Sequence, residues 1–263
     1  MGTSDIVIGT LICRRTSFII DKFLANQQEI QQAYPRCRLV LATDEPDFIG
    51  ELREQFNRYH LQGEVIVYET VRPDYARSRV WSIACGREAL RQYTLSDDAE
   101  YLLFLDSDMV YAKSIVSTMK ARIQGFDVIY SGYRFPPRGD LRFGGGCLMV
   151  SRETLSKIPF RCKEFRNGQV ICEDEAFDVD LFKCRGRVNK GIFVSVKHYK
   201  EKQAYVATEP QPVGWFRALT NSPVVRYIFI RISLLVKYNI PGNIHAWLYK
   251  APMSFSSDEE LAK

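Results

Sequence analysis

Several features that define other protein classes are missing from this chain of 263 residues. Its seven cysteines are odd in number and widely spaced, and no two form a Cys-x-x-Cys pair, so neither a disulfide framework nor a zinc knuckle is indicated. The chain has no internal repeat, and its start lacks the basic and apolar regions of a signal peptide. We therefore expect free thiols and a cytoplasmic location.

The composition is that of a folded protein, with 46% hydrophobic and 25% charged residues. Net charge is only +5, but positive charge is concentrated late in the chain. From Lys183 to Lys250 there are twelve Lys or Arg residues against Glu201 and Glu209. This excess of positive charge favours an anionic partner. We do not expect that partner to be a nucleic acid.

Strand-like and helix-like segments alternate over about the first two hundred residues, which predicts an α/β fold with a parallel sheet covered on both faces. The segment 134–146 contains Pro-Pro and Gly-Gly-Gly and predicts a loop over the sheet edge. The predicted strands are 5–12, 38–42, 64–68, 101–105, 127–131, 147–150 and 193–196. The predicted helices are 17–34, 48–59, 76–93, 112–123, 152–157 and 175–185.

The apolar run 101–105 leads directly into Asp106-Ser107-Asp108. Alternation along a strand places Asp106 and Asp108 on one side at its carboxyl end, where open α/β sheets bind their ligands. Two carboxylates there suit Mg²⁺ or Mn²⁺ bridging a diphosphate. An isolated Asp-x-Asp is also typical of a strand followed by an Asx turn, so the rest of the chain has to decide between the two.

Three further motifs accompany this pair. Arg77 lies in Ala-Arg-Ser-Arg at the start of the preceding helix, Glu173-Asp174 opens a later helix, and His198 follows the last predicted strand. Singly, each has a structural explanation: a solvated arginine, acids at a helix N-terminus, and a packed histidine. Their order and spacing in combination favour a functional site.

Taken together, these residues resemble the GT-A fold nucleotide-diphospho-sugar glycosyltransferases, most like glycosyltransferase family 2, over roughly residues 5–200. The resemblance implies a Rossmann-like, mostly parallel central sheet flanked by helices. It also implies a metal-dependent hexosyl- or N-acetylhexosaminyl-transferase that moves a sugar from a nucleotide-diphosphate donor to an acceptor hydroxyl, with inversion preferred over retention.

The same resemblance suggests a role for each motif. Asp106 and Asp108 would hold the Mn²⁺ or Mg²⁺ ion together with the donor, and His198 would complete the metal ligands. Asp174 would remove the proton of the acceptor hydroxyl, since a direct displacement needs a carboxylate within reach of that oxygen.

Nucleotide recognition is expected at the ends of the first strands. Thr10 lies at the end of the first strand and Asp44 at the end of the second, where the base and ribose would lie by similarity. Arg77 would position the nucleotide, although Ser78 replaces the asparagine usual beside it. Gly144 to Gly146 would allow close approach of the backbone to acceptor or sugar, because glycine has no Cβ.

Two alternatives use the same residues. The segment 104–110 also fits the nucleophile motif of haloacid-dehalogenase-type phosphatases, with Asp106 as the nucleophile and Asp174 with Asp178 as the later acidic pair. That motif normally lies on the first strand of its domain, whereas here several βα units precede it. A degenerate GT-A domain that serves as a binding module at a membrane is the second alternative, suggested by Ser78 and opposed by the intact acids.

The end of the chain predicts a separate segment, so we expect a catalytic domain at 1–204 and an amphipathic helical segment with a tail at 205–263. The apolar stretch 223–238 is too short to span a bilayer and carries a narrow polar stripe. It favours residues 215–250 lying on an anionic membrane surface at the inner leaflet, with a lipid-linked or glycan acceptor. Packing of this helix on the sheet is the alternative.

Overall fold

The computed structural model describes residues 4–136, 139–166, 168–202 and 204–212, together with Val225 and Ile228. Apart from those two residues, the predicted membrane-surface segment at 215–250 lies outside this range. Among the helices described, none is long and apolar enough to cross a membrane.

Strands and helices alternate as the apolar runs predict. Two short 3-10 helices, Arg14–Ile19 and Pro46–Phe48, precede the first two α-helices. The α-helices are α1 (Ile20–Ala33), α2 (Ile49–Arg58), α3 (Val80–Ser96), α4 (Ile115–Ile123), α5 (Arg152–Lys157) and α6 (Glu173–Lys183). The strands are β1 (Ile6–Leu11), β2 (Cys37–Thr43), β3 (Gly63–Val67), β4 (Tyr101–Leu105), β5 (Met109–Tyr111), β6 (Val128–Ser131), β7 (Tyr133–Phe135), β8 (Asp140–Arg142), β9 (Cys147–Ser151), β10 (Lys163–Glu164), β11 (Val170–Ile171), β12 (Val188–Gly191), β13 (Val196–Tyr199) and β14 (Tyr205–Thr208).

A seven-stranded sheet in the order β12-β6-β9-β4-β1-β2-β3 forms the centre of the fold. All its pairings are parallel except those of β9, which runs antiparallel to β4 and β6. Successive residues of one strand pack into different cores: Ile8 and Leu103 lie on one face of the sheet, and Val7 and Leu102 on the other. Because both faces are covered, the strands read as continuous apolar runs. The mostly parallel α/β sheet predicted from the sequence is confirmed.

The sequence predicted that helix α3 begins at residue 76, but it begins at Val80. The buried carboxylate of Glu164, in β10, accepts the backbone N–H of Arg77 at 3.0 Å and that of Ser78 at 2.9 Å. These two N–H groups are satisfied by a residue remote in the chain, and residues 76–78 lie outside the helix.

Two predictions about the second half of the chain were wrong. The segment 134–146, predicted as a loop, contains most of the antiparallel hairpin of β7 and β8. The last strand of the central sheet is β12, not residues 193–196. Of residues 193–196, only Val196 lies in a strand, as the first residue of β13.

A small antiparallel sheet in the order β14-β13-β5 adjoins the strand end that carries Asp106 and Asp108. In its register, His198 of β13 lies opposite Met109 of β5, directly after Asp108. Because β14 pairs with β13, the chain immediately beyond residue 204 continues this sheet.

Candidate active site at the carboxyl ends of the central strands

A cleft of about 1240 Å³ lies where β1, β2 and β4 end. Ile12 and Cys13 line it after β1, Asp44 after β2, and Asp106 after β4. Parallel strands bring their carboxyl ends to one edge of the sheet, so residues remote in sequence meet there.

Asp106 and Asp108 both line this cleft. The backbone N–H of Asp106 donates to Tyr111 Oη at 2.9 Å, and Tyr111 Oη donates to the carbonyl oxygen of Gly146 at 2.5 Å. Burial and the negative charge of Asp108 together raise the pKa of Asp106 to about 6, against the opposing positive charge of Arg87. Because the two carboxylates repel each other, a cation bound between them would stabilise both.

His198 lies beside the second of these acids. Its Nε2 is 3.4 Å from Asp108 Oδ2, and its Nδ1 is 3.2 Å from the carbonyl oxygen of Arg134. The imidazole is almost fully buried, with the rings of Tyr133 and Phe135 packed edge-on against it.

The chemistry of these side chains suits a divalent cation. Asp106, Asp108 and His198 offer the oxygen and nitrogen donors that Mn²⁺ accepts, and the two carboxylates alone suit Mg²⁺. Within the described ranges, however, no three His, Cys, Asp or Glu side chains already surround a common metal position.

Arg87 of α3 joins the other two acids of the cleft. Its guanidinium, 6% exposed, lies 2.8 Å from Glu173 Oε1 and also pairs with Asp174 Oδ1. Burial alone would lower the pKa of Arg87, but the charges of Asp174, Glu173 and Asp106 raise it. Burial raises the pKa of Glu173 to about 7, against the opposing effect of Arg87.

Asp174 differs from its neighbour in exposure. Its side chain is 35% exposed, whereas that of Glu173 is 5% exposed. Asp174 is thus the more accessible acid of this pair, while Glu173 is buried against Arg87.

The three consecutive glycines lie against these charged side chains. A Cβ at Gly144 would lie 2.8 Å from Asp174 Oδ2, one at Gly145 1.9 Å from Arg87 Cζ, and one at Gly146 2.5 Å from Asp106 Oδ2. Gly145 N–H also donates to both carboxylate oxygens of Asp174, at 3.2 and 3.3 Å. The glycines therefore make room for the chain's own acids and arginine.

Of the three residues predicted to contact the nucleotide, two line the cleft and one does not. Asp44 lines the cleft and accepts a hydrogen bond from Thr70 Oγ1 at 2.9 Å. Arg77 lines it as well, with Nη1 donating to the carbonyl oxygens of Ala76 at 3.0 Å and Asp74 at 2.5 Å. Thr10 is fully buried within β1 and is not among the lining residues. The cleft thus brings together all the predicted site residues except Thr10.

Sequence reasoning missed Arg87, which reads like any solvated helix arginine. One signal was available: Ala84, Arg87, Leu90 and Thr94 recur at helical spacing and share the buried face of α3. A charged side chain on such a face requires a partner. The sequence did not show that Glu173 and Asp174 are that partner.

Comparisons with known proteins bear on the fold. No protein-family model matches the chain, and neither does any curated protein sequence. Solved structures do match it. The mannosyltransferase PcManGT from Pyrobaculum calidifontis, in complex with GDP-Man and Mn²⁺, matches with a TM-score of 0.53 at 12% identity. The match covers 95% of this chain and 71% of the mannosyltransferase chain.

Two further structures are similar. Glucosyl-3-phosphoglycerate synthase from Mycobacterium tuberculosis, in complex with phosphoglyceric acid, has a TM-score of 0.50 at 14% identity, covering 90% of this chain and 81% of its own. TarS from S. aureus has a TM-score of 0.51 at 14% identity and covers 96% of this chain, which spans 44% of TarS. The fold of this chain is therefore of the GT-A type.

Proposed function

We propose that this chain is a metal-dependent glycosyltransferase that moves a hexosyl or N-acetylhexosaminyl group from a nucleotide diphosphate to an acceptor hydroxyl with inversion. The observation that carries the proposal is a single cleft, at the strand ends of a GT-A type sheet, that contains Asp106, Asp108, His198 and Asp174. The GDP-Man and Mn²⁺ bound to the similar mannosyltransferase support the same assignment.

In this proposal Asp106, Asp108 and His198 hold a Mn²⁺ or Mg²⁺ ion. When bound, the cation supplies positive charge for the diphosphate of the donor. Asp44 and Arg77 both line the cleft; Asp44, directly after β2, would contact the base and ribose, and Arg77 would position the nucleotide.

Asp174 is the proposed general base. Its carboxylate is oriented by Arg87 and by the N–H of Gly145, and about a third of it faces solvent in the cleft. The acceptor oxygen forms its bond to the anomeric carbon as the bond to the diphosphate oxygen breaks, and the hydroxyl proton passes to Asp174. Attack on the side opposite the leaving diphosphate inverts the anomeric centre.

We also propose a glycan or lipid-linked acceptor and a peripheral position on the cytoplasmic leaflet, supported by the basic residues between 183 and 250. Co-sedimentation with vesicles containing phosphatidylglycerol tests the membrane contact. The full chain should pellet and a chain ending at Thr208 should not. Equal, negligible pelleting of both would contradict it.

The phosphatase alternative has less support. β4, which carries Asp106 at its end, follows three other strands of the central sheet, and the fold is of the GT-A type.

A panel of UDP-, GDP-, dTDP-, ADP- and CDP-linked sugars, each with Mn²⁺, Mg²⁺ or EDTA, tests the function by thermal shift. At a concentration of about 100 times Kd, the correct donor should raise Tm by about 5 °C or more, and only with metal. Asp108→Asn should abolish that metal-dependent shift, while Asp98→Asn, at an exposed position, should preserve it. The proposal fails if no donor stabilises the protein, or if Asp108→Asn responds like the wild type.

A further inference from the structure

We propose that Lys200 and Lys202, in the turn between β13 and β14, bind the diphosphate of the donor, an inference that rests on the function proposed above. Both lysines line the same cleft as Asp106 and Asp108. No role follows for them from the sequence motifs or from the similar structures.

The turn starts at the metal-binding side of the cleft. His198, which lies 3.4 Å from Asp108, is followed by Tyr199, whose backbone N–H donates to the carbonyl oxygen of Asp108 at 2.9 Å. Lys200 comes next. The lysines therefore enter the cleft beside the acids at which the diphosphate is expected.

The base of the turn is held in place from several sides. Lys200 N–H donates to the carbonyl oxygen of Ala204 at 3.1 Å. The buried ring of Tyr199 lies 5.2 Å from the ring of Tyr205. Lys22 Nζ lies 5.0 Å from the ring centroid of Tyr199. An anchored turn presents its side chains at a smaller entropic cost than a free loop.

The charges of the turn are available to a ligand. Lys200 and Lys202 are exposed and form no ion pair within the part of the chain that the structure describes. Glu201, between them, also lines the cleft, so the three side chains carry one net positive charge. An ammonium group binds phosphate oxygens as a point charge.

The diphosphate is the group that needs this charge. Negative charge accumulates on its oxygens as the glycosidic bond breaks, and donors already placed there stabilise the transition state. Lys197 of β13 offers a matched comparison. It is exposed but does not line the cleft, and its Nζ lies 5.5 Å from the ring centroid of Tyr205.

Isothermal titration calorimetry with Mn²⁺ tests the inference, using UDP, GDP, dTDP, ADP and CDP and the corresponding monophosphates. The double variant Lys200→Gln/Lys202→Gln should weaken the binding of the preferred diphosphate about tenfold or more, or roughly 1.4 kcal/mol. Binding of its monophosphate, which lacks the β-phosphate, should weaken less. Lys197→Gln should leave both unchanged, and Glu201→Gln should leave diphosphate binding unchanged or tighter.

Unchanged diphosphate affinity in the lysine variant would overturn the inference and leave the proposed function standing. An equal loss for diphosphate and monophosphate, or a similar loss in Glu201→Gln, would also overturn it, since the turn itself would then be distorted. If the wild-type protein binds none of these diphosphates with Mn²⁺, the proposed function fails, and the inference fails with it.

Discussion

Arg87 and Glu173 form a buried ion pair of 2.8 Å that joins the middle of α3 to the first residue of α6. The same guanidinium pairs with Asp174, and its positive charge opposes the rise in the pKa of Asp106. One cation therefore compensates three acids of the cleft. The guanidinium also packs against Gly145 so closely that a Cβ on that residue would not fit.

Arg87→Met should destabilise the protein by about 3–5 kcal/mol, because it leaves buried carboxylates without their cation. Transfer should fall by at least about a hundredfold, since Asp174 loses the group that orients it. Arg87→Lys should recover part of both, and Arg53→Met, on the exposed face of α2, should change neither. Urea denaturation and initial rates measure the two effects, and wild-type values for Arg87→Met would contradict the assignment.

Asp174→Asn keeps the shape of the side chain but cannot take up the acceptor proton. The rate of transfer should fall by about 10²–10⁴-fold, the usual contribution of a general base. Affinity for the donor, measured by calorimetry, should remain near that of the wild type. A variant with an undiminished transfer rate would show that another group accepts the proton.

Gly145→Ala tests the glycine loop. The new methyl group would lie 1.9 Å from the guanidinium of Arg87, so arginine or loop must shift. We expect a loss of about 1–3 kcal/mol in the free energy of unfolding, together with reduced transfer.

A matched control is Gly50→Ala in α2, where nothing lies within 4 Å of the added Cβ. This change should be neutral or stabilising by up to about 1 kcal/mol, because alanine favours a helix more than glycine does. Urea denaturation of both variants gives the comparison. Equal effects would mean that Arg87 does not restrict residue 145.

Asp5 predicts a pH dependence of stability away from the cleft. It is 4% exposed, accepts a hydrogen bond from Tyr34 Oη at 2.9 Å, and pairs with Lys120 and Arg36. Burial acts to raise the pKa of Asp5, but the hydrogen bonds from Lys120 and Tyr34 and the charges of Lys120 and Arg36 lower it below its ordinary value. The charged form is thus favoured by folding.

An acid with a lowered pKa contributes stability that is present above its unfolded pKa and is lost as pH falls through its folded pKa. Asp5→Asn should therefore cost about 1–3 kcal/mol at pH 7 and progressively less below about pH 4. Urea denaturation of both proteins at pH 7 and pH 3 measures the difference. A cost that does not change with pH would show that the charge of Asp5 contributes nothing.

Local pattern was sufficient to predict much of the fold. β4 was predicted at its observed bounds because five buried-type residues end abruptly at Asp106. The antiparallel direction of β9 was not predicted, because strand direction depends on partners remote in the chain. Similarly, the start of α3 depends on Glu164, which no local pattern near residue 76 reveals.

By itself, the sequence determined the mostly parallel α/β sheet and the placement of Asp106 and Asp108 at the end of β4, because both follow from residues adjacent in the chain. Only the tertiary structure decided that Thr10 stays within the sheet, that His198 lies against Asp108, and that Arg87 pairs with Glu173 and Asp174. Such pairings are made by side chains brought together by packing. Burial, which converts ordinary acids and a helix arginine into one interacting group, is a property of the folded chain.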